Sequence, residues 1–278
     1  MIKRGEKTIA IYSYQLSILI ALILLACNGR NSYRVSPKVT KIFPSSDTLP
    51  ENLLRMYVQF SEPMKTTGNL EKIVLLDENE REVKGAIFNN VYELWDKEQL
   101  QLTLIFDPAR VKTGLQANEK LGRALKPNKN YQLILEGLET IEHRLISPYA
   151  KRFFVDVADT IQPSINERNI SVPKIGTSSA LKISLQQEVD WMSLNHRLLV
   201  TDETGSLIDG RIEIRFNEKE WSFLPTKEWE RRKYFLTVNT RFADPCGNNI
   251  NGLFDHSVGS LEYESEETIT KIPFLPSD

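Results

Sequence analysis

The sequence predicts an all-β protein, made of two successive antiparallel β-sandwiches behind an N-terminal export signal. Two observations predict the sandwiches. Short stretches of alternating apolar and polar residues recur along the chain, and much of the pattern of the first half returns in the second. A third observation, an apolar run that ends in a cysteine, predicts the export signal.

The export signal begins with Lys3, Arg4 and Lys7, and an apolar run follows over residues 16–25. A run of this length is typical of a secretory signal and is too short to span a membrane. It ends in Leu24-Leu25-Ala26-Cys27. We therefore expect residues 1–26 to be a signal peptide that is removed.

The ending at Cys27 resembles the lipobox of bacterial lipoproteins. This resemblance implies a diacylglycerol on the Cys27 sulfur, cleavage after Ala26 and acylation of the new amine. Two or three acyl chains hold a protein at a membrane durably, whereas one chain does so only marginally. Asn28 follows the cysteine where Asp would imply retention in the inner membrane of a Gram-negative cell. We therefore expect an outer-membrane lipoprotein that faces the periplasm.

Composition limits the classes of partner. Removing 26 of the 278 residues leaves 252, enough for two ordinary domains, and changes the net charge from −2 to −4 because the removed segment has three basic residues and one acidic residue. A charge so near balance does not favour nucleic acid as a partner. If Cys27 is lipidated, Cys246 is left alone and the mature chain has no intrachain disulfide.

Alternation predicts the strands of the first sandwich. In the clearest case, Leu54, Met56, Val58 and Phe60 alternate with Arg55, Tyr57 and Gln59, which predicts that Phe60 is buried and Arg55 exposed. Further strands are predicted over residues 73–76, 83–88, 100–106, 131–135 and 152–157.

The second half repeats the first at a spacing of 125 residues. This spacing relates Phe60 to Leu185 and residues 73–78 to 198–203, and predicts that Leu185 is buried and Lys182 exposed. Beyond the insertion the spacing falls to 103, because the first copy has 22 extra residues, mostly within 111–130. The predicted organisation is a tether over 27–36, domains over 37–157 and 163–275, a linker over 158–162 and a tail over 276–278.

Four short motifs make the chain resemble bacterial Ig-like domains of the S-layer-protein (SbsA) type. The first copy has Phe60-Ser61-Glu62-Pro63-Met64, Val83-Lys84-Gly85 and a Leu125-Lys126-Pro127 stretch that leads to Tyr131, and the second copy has Asp244-Pro245-Cys246-Gly247-Asn248. The first copy departs from the last motif at residues 139–143, and the second copy lacks the Ser and Pro of the first motif at 186–189. The resemblance implies a two-sheet sandwich that serves as a spacer or adhesive module, without a shared catalytic chemistry.

The insertion is the main difference between the copies, and it is basic on an acidic protein. Its cations are Lys112, Lys120, Arg123, Lys126 and Lys129. One interpretation is an anionic partner, such as a polysaccharide or a lipid headgroup. The alternative is an excursion that covers one end of the sandwich, held to the core by apolar residues at 111, 115, 121 and 125.

The residues with metal or catalytic chemistry form no recognised motif. His143, His196 and His256 are far apart and have no Cys or His at ligand spacing, so we expect neither a catalytic site nor a cofactor. The segment 244–249 predicts a turn, in which Cys246 is a small filler. The oxygens of Asp244, Asn248 and Asn249 also make it a candidate site for calcium.

Two further groups of residues leave alternatives open. The aromatic residues Trp95, Trp191, Trp221, Trp229, Tyr92 and Tyr149 either stack on sugars or pack in the cores and between the domains. Thr48 and Thr160, each after an Asp, resemble the O-glycosylation acceptor of exported proteins in one group of Gram-negative bacteria.

These observations predict a non-enzymatic cell-envelope lipoprotein, whose two modules act as a binding or spacing element at the outer membrane. The expected partners are the membrane, through the lipid, and another envelope protein or an anionic glycan. A glycan-binding accessory of polysaccharide uptake is the first alternative. A hydrolase with its residues in the insertion is the second.

Overall fold

A computed structural model of the chain describes residues 35–89, 92–256 and 268–278. Pro37–Asp278 forms one compact unit. The predictions for the signal peptide, for Cys27 and for most of the tether lie outside the described residues. In the part of the chain that is described, no helix has both the length and the apolar character needed to cross a membrane.

The first sandwich contains eight of the described strands. They are β1 (Val39–Phe43), β2 (Thr48–Pro50), β3 (Arg55–Phe60), β4 (Ile73–Leu76), β5 (Leu94–Trp95), β6 (Gln101–Ile105), β7 (Lys129–Leu135) and β8 (Tyr149–Asp156). Between them lie a 3-10 helix (Leu70–Lys72) and the helices α1 (Pro108–Val111) and α2 (Gln116–Leu121).

The second sandwich contains the other seven described strands. They are β9 (Ile170–Ser171), β10 (Leu181–Ser184), β11 (Leu198–Asp202), β12 (Gly210–Arg215), β13 (Glu220–Pro225), β14 (Tyr234–Asn239) and β15 (Ile269–Phe274). A 3-10 helix (Glu167–Asn169) precedes β9, and α3 (Trp191–His196) connects β10 to β11.

Each sandwich has two sheets, and the strand orders correspond. The first sandwich has sheets β1-β3-β6-β5 and β2-β8-β7-β4, and the second has β9-β10-β13-β12 and β15-β14-β11. All pairs are antiparallel except β2 with β8, which is parallel. The predicted fold class, two tandem Ig-like β-sandwiches, is confirmed, with this parallel pair as the departure.

The copies also share a buried tyrosine that ties down the chain before β7 and β14. The Tyr131 hydroxyl accepts a hydrogen bond from the backbone N–H of Lys126, and the Tyr234 hydroxyl accepts one from the N–H of Glu230. Ig-like sandwiches use a tyrosine in a similar way to fix a connection between sheets.

The turn motif at 244–248 has a structural counterpart in the first copy. Residues 139 and 145 form an isolated bridge, as residues 243 and 249 do, and Thr140 and Asp244 accept equivalent hydrogen bonds from Arg144 and Asn248. The first copy therefore keeps the turn geometry although its sequence lacks the motif.

The strand predicted at 83–88 is wrong. Ile87 forms only a single bridge to Phe106, and the edge position is taken further along by β5, which the alternation did not indicate. The edge strand that is continuous in the second copy as β12 is thus interrupted in the first.

Each sandwich encloses its own apolar core. The first core runs in sequence from Val39 to Val155 and the second from Leu181 to Phe274, while the boundaries proposed at 157 and 163 stay predictions. Phe60 and Leu185 are buried and Lys182 is exposed, as predicted. Arg55 is only half-buried, and its predicted full exposure is wrong because the second sandwich covers this face of β3.

The buried position that the repeat assigns to Phe60 predicts that this side chain contributes strongly to the free energy of unfolding. Replacing Phe60 with Ala should lower the free energy of unfolding by ~3–5 kcal/mol, because a buried ring is lost and leaves a cavity. The exposed ring of Tyr92 is the matched control, and Tyr92→Ala should change stability by less than about 0.5 kcal/mol. Urea denaturation measures both values, and similar losses for the two variants would contradict the assigned register.

Candidate functional site: the junction between the sandwiches

The two sandwiches meet through a buried tyrosine–aspartate contact. Tyr57 lies on the face of β3 away from the first core, and its hydroxyl donates a 2.6 Å hydrogen bond to Asp190 Oδ2. Asp190 precedes α3 and accepts the N–H of Ser193 through its other oxygen, at 2.9 Å. Arg55 Nη1 lies 3.8 Å from Asp190 Oδ2. Burial and the neighbouring carboxylate raise the pKa of Tyr57 far above its usual range, so the hydroxyl keeps its proton.

A second contact is formed by the turn at 244–249. The Pro245 carbonyl accepts the backbone N–H groups of Leu54 and Arg55, at 3.0 and 3.2 Å. Gly247 is required here on two counts. Its φ is +85°, and a Cβ would lie 2.7 Å from Leu54 Cδ2. The turn thus pairs its backbone with the first sandwich at close range.

The linker joins the same cluster. Asn52 of the first sandwich donates from Nδ2 to the Asp159 carbonyl at 2.8 Å and accepts the Asp159 N–H at 2.9 Å. From the second sandwich, Asn248 also donates to the Asp159 carbonyl, and the Cys246 thiol lies 3.3 Å from Asn52 Oδ1. Both sandwiches and the linker therefore share one hydrogen-bonded cluster.

Cys246 and Asp244 are buried within this cluster. Burial raises the pKa of the Cys246 thiol well above its ordinary value, which agrees with its expected role as a turn filler. Burial also raises the pKa of Asp244 to about 7, although the carboxylate accepts the N–H groups of Cys246 and Asn248. Asp244 thus titrates near neutral pH.

The oxygens of the calcium candidate already accept hydrogen bonds. Those of Asp244 bind the turn, Asn248 Oδ1 accepts from Phe254 N–H, and Asn249 Oδ1 accepts from two N–H groups. Among the described residues, Asp159, Asp244 and Cys246 have ligand atoms close enough to share a metal ion. Calcium binding stays a prediction that competes with these bonds.

The insertion of the first sandwich forms hydrogen bonds and ion pairs with the second. Thr113 donates its backbone N–H to Asp255 Oδ1 at 2.8 Å, and Arg123 pairs with Asp255 at 2.7 Å and with Glu51 at 2.5 Å. Despite burial, the hydrogen bonds from Thr113 and Arg123 hold the pKa of Asp255 below its ordinary value.

The predicted basic residues of the insertion do not form one cluster. Arg123 is in these ion pairs, Lys129 pairs with Glu78, and Lys112 lies over the ring of Phe254 at 5.6 Å. Lys120 and Lys126 are exposed. The apolar residues at 111 and 125 are buried, residue 115 is half-buried and residue 121 is exposed, so the excursion is held to the core at part of its length. Anion binding by the insertion stays a prediction.

The histidines lie in separate surroundings. His143 lies in the exposed turn of the first sandwich, with Nδ1 3.6 Å from the Glu139 carboxylate. His196 ends α3, and His256 Nδ1 lies 2.9 Å from the Leu253 carbonyl. The glycosylation candidates Thr48 and Thr160 are both exposed.

The tryptophans pack in the cores and at the junction. Trp221 and Trp229 lie in the second core, and Trp95 packs on Phe60. Trp191 stacks on Phe43 at 3.7 Å, a contact across the junction. Of the six aromatic residues singled out in the sequence, Tyr92 and Tyr149 are exposed.

A polar cluster closes the junction on another side. Ser45 donates to both carboxylate oxygens of Glu218 at 2.8 Å, and Lys151 donates to the Ser46 carbonyl at 2.9 Å. Burial raises the pKa of Glu218 and lowers that of Lys151.

Two clefts open beside the junction. The first, of about 1040 Å³, lies between β8 and the turn from β12 to β13. The second, of about 620 Å³, is lined by Arg55, Tyr57, Asp190 and the end of α3, among others. Sequence reasoning missed both clefts. The one available signal was Tyr57, an aromatic residue on the strand face expected to meet water.

No protein-family model matches the chain, and no curated protein matches it in sequence. Among solved structures, the S-layer protein rSbsC(31-844) is similar with a TM-score of 0.32 and 12% identity, over 73% of this chain and 23% of that one. The N-terminal part of the bacterial S-layer protein SbsC has a TM-score of 0.32 and 11% identity, over 88% and 45%. Domains A168-A170 from titin have a TM-score of 0.24 and 10% identity, over 87% and 65%. The chain thus spans less than half the length of the S-layer chains, and the low scores carry no argument about function.

The raised pKa of Asp244 predicts a pH-dependent stability. A carboxyl whose pKa is higher in the folded state stabilises the fold most below its unfolded pKa, and this contribution is lost as the pH rises to about 7. We expect the free energy of unfolding to fall between about pH 4 and 7, by up to about 1.4 kcal/mol per pH unit from this group. Asp244→Asn should make the slope shallower.

Denaturation at a series of pH values measures this slope. The matched control is Asp209→Asn, because Asp209 is exposed in the same sandwich. An unchanged slope in Asp244→Asn would show that other groups carry the titration.

Proposed function

We propose that this chain is a non-enzymatic cell-envelope lipoprotein, in which two Ig-like modules form one rigid binding or spacing element at the outer membrane. The observation that carries the proposal is the buried junction. It makes one compact unit of two sandwiches that a five-residue linker alone would leave free to move. A rigid pair holds a partner at a fixed distance and orientation from the tether, whereas a flexible pair does not.

The contacts at the junction come from several separate parts of the chain. They include the Tyr57–Asp190 hydrogen bond, the Phe43–Trp191 stack and the ion pair between Arg123 and Asp255. The first two contacts adjoin each other, because Phe43 pairs with Tyr57 in the sheet and Trp191 follows Asp190, whereas the third comes from the insertion. Contacts from more than one part of the chain restrict the relative movement of the two sandwiches. This supports a spacer of fixed shape.

The lipid anchor is part of the proposal and rests on the sequence. Acyl chains on Cys27, followed by a short tether, would leave the sandwiches at the membrane surface. The proposed location is the periplasmic face of the outer membrane.

The anchor makes a direct prediction. Replacing Cys27 with Ala should abolish incorporation of labelled palmitate and leave the precursor uncleaved, because the thiol that accepts the lipid is gone. Cys246→Ala is the matched control and should label normally, since that thiol is buried. Label on the Cys27→Ala protein would rule out the anchor.

Rigidity makes a second prediction, about the linker at 158–162. Asn52→Ala removes both side-chain hydrogen bonds to Asp159, so thermolysin should cut the linker several-fold faster than in the unchanged protein. The control is Asn69→Ala, which removes a buried asparagine of the same sandwich that binds Glu93 instead.

The two variants separate local opening from general unfolding. If Asn69→Ala exposes the linker as much as Asn52→Ala does, the cleavage reports loss of the sandwich. If the linker of the unchanged protein is already cut quickly, the spacer is not rigid and the proposal fails.

A glycan-binding accessory is the second candidate. The observation in its favour is the first cleft, which is lined by three exposed aromatic residues and several cations. For the hydrolase alternative the described residues offer no comparable observation, and Thr113 and Arg123 of the insertion contact Asp255 at the junction.

A further inference from the structure

We infer that the first cleft is a binding site for a chain of acidic sugars, held by aromatic rings and cations from both sandwiches. The inference rests on the proposed function in one respect, since the cleft exists only while the sandwiches are locked together. It does not depend on the lipid anchor.

Both sandwiches form the walls of the cleft. The first contributes Lys41, Tyr149, Arg152 and Phe154, and the second contributes Arg215 and Phe216. The cleft is open to solvent, and its volume of about 1040 Å³ is at the upper limit of the usual range for ligand sites. The walls are held at a fixed distance by the bonds from Ser45 to Glu218 at the base.

Three aromatic rings of the cleft are exposed, unlike most aromatic residues in the described part of the chain. Phe216 is 70% exposed, Tyr149 37% and Phe154 36%. An exposed ring in a concave site offers an apolar face against which the C–H face of a sugar can stack. On β8, Phe154 shares a face with Arg152 and Tyr149 lies on the other face, so the aromatic residues line the cleft from different sides. Several rings in one cleft suit a ligand with repeated rings.

The exposed charges of the cleft are mainly positive. Lys41, Arg152 and Arg215 are exposed, although Arg215 also pairs with Glu213. Of the two acidic residues, Glu218 is buried and already accepts two hydrogen bonds from Ser45. Apart from the exposed Asp47, the charge presented to a ligand is therefore cationic, which favours acidic groups.

Phe216 begins the hairpin turn between β12 and β13, where three successive residues other than glycine have a positive φ. Phe216, Asn217 and Glu218 have φ values of +54°, +54° and +58°, a conformation that suits glycine. An exposed phenylalanine gains little from packing, so it does not offset this cost. Residues held in such conformations cluster at binding sites, where strain fixes the presented group.

The turn is held in this conformation by the first sandwich. Ser45 binds Glu218 and lies 3.4 Å from Asn217 Oδ1 through its hydroxyl. Phe216 is therefore presented by a preorganised turn, which lowers the entropy lost on binding.

A peptide strand fits the cleft less well than a sugar chain. It would need a free strand edge, but the edge of β8 is partly occupied by β2 and by the bond from Phe154 N–H to the Asp47 carbonyl. Lys151 points inward from β8 and binds the Ser46 carbonyl. Such inward charges protect edges from added strands.

The test compares three polymers binding to the purified full chain in detergent. Polygalacturonate carries carboxylates on sugar rings, dextran has rings without charge, and poly-L-glutamate has charge without rings. Calorimetry should show that polygalacturonate binds most tightly, and that its affinity falls as salt is raised.

Variants assign the binding to the cleft. Phe216→Ala should weaken polygalacturonate binding about tenfold, and Arg152→Gln about threefold. The matched controls are Tyr92→Ala and Arg168→Gln, which remove an exposed aromatic ring and an exposed guanidinium outside the cleft, and they should bind normally.

Phe216→Gly separates binding from folding. It should relieve the strain and raise the midpoint of thermal unfolding by about 2–4 °C, while weakening binding as much as Phe216→Ala. Equal binding of poly-L-glutamate and polygalacturonate, or equal losses in the control variants, would overturn the inference. So would absence of polygalacturonate binding by a chain whose linker resists thermolysin, a result that leaves the proposed function standing.

Discussion

The structure depends on hydrogen bonds that the turn at 244–249 can complete only against the first sandwich. The carboxyl of Asp244 is wholly buried, and an unpaired polar group in such a place would cost several kcal/mol. Within the turn its oxygens are satisfied, but Pro245 and Asn248 find partners in Leu54, Arg55 and the linker. Separating the sandwiches would break these bonds at once while exposing the Phe43–Trp191 stack, and the orientation of the modules is fixed as a result.

The need to fix the two sandwiches against each other also explains the role of the insertion. Its two short helices bring Thr113 and Arg123 to Asp255, so an excursion on one sandwich secures the other. Its basic character is therefore partly structural, because Arg123 balances Glu51 and Asp255. The exposed cations that lie beside exposed rings are instead at the first cleft. They belong to strands and a turn that contain no recognised sequence motif.

Alternation and the repeat predicted the sheets well, because each records which residues of one sandwich face its own core. Phe60, Leu185 and Lys182 follow directly from period two. Tyr57 could not be placed in this way, since its neighbour Asp190 belongs to the other copy and their contact depends on how two modules are oriented. The helices α1, α2 and α3 were missed for another reason, because helices of four to six residues are too short to show a period of 3.6.

The equivalent turns of the two copies differ in sequence because they have different surroundings. His143 has a φ of +60° at the position that Gly247 occupies with +85°, and both donate their N–H to the first residue of the turn. In the first copy the turn is exposed, so a histidine side chain has space and the only cost is its backbone conformation. In the second copy Leu54 would lie 2.7 Å from a Cβ at Gly247, so the turn needs glycine. The departure of the first copy from the motif therefore follows from the absence of a module against that turn among the described residues, and the motif marks the turn that carries the junction.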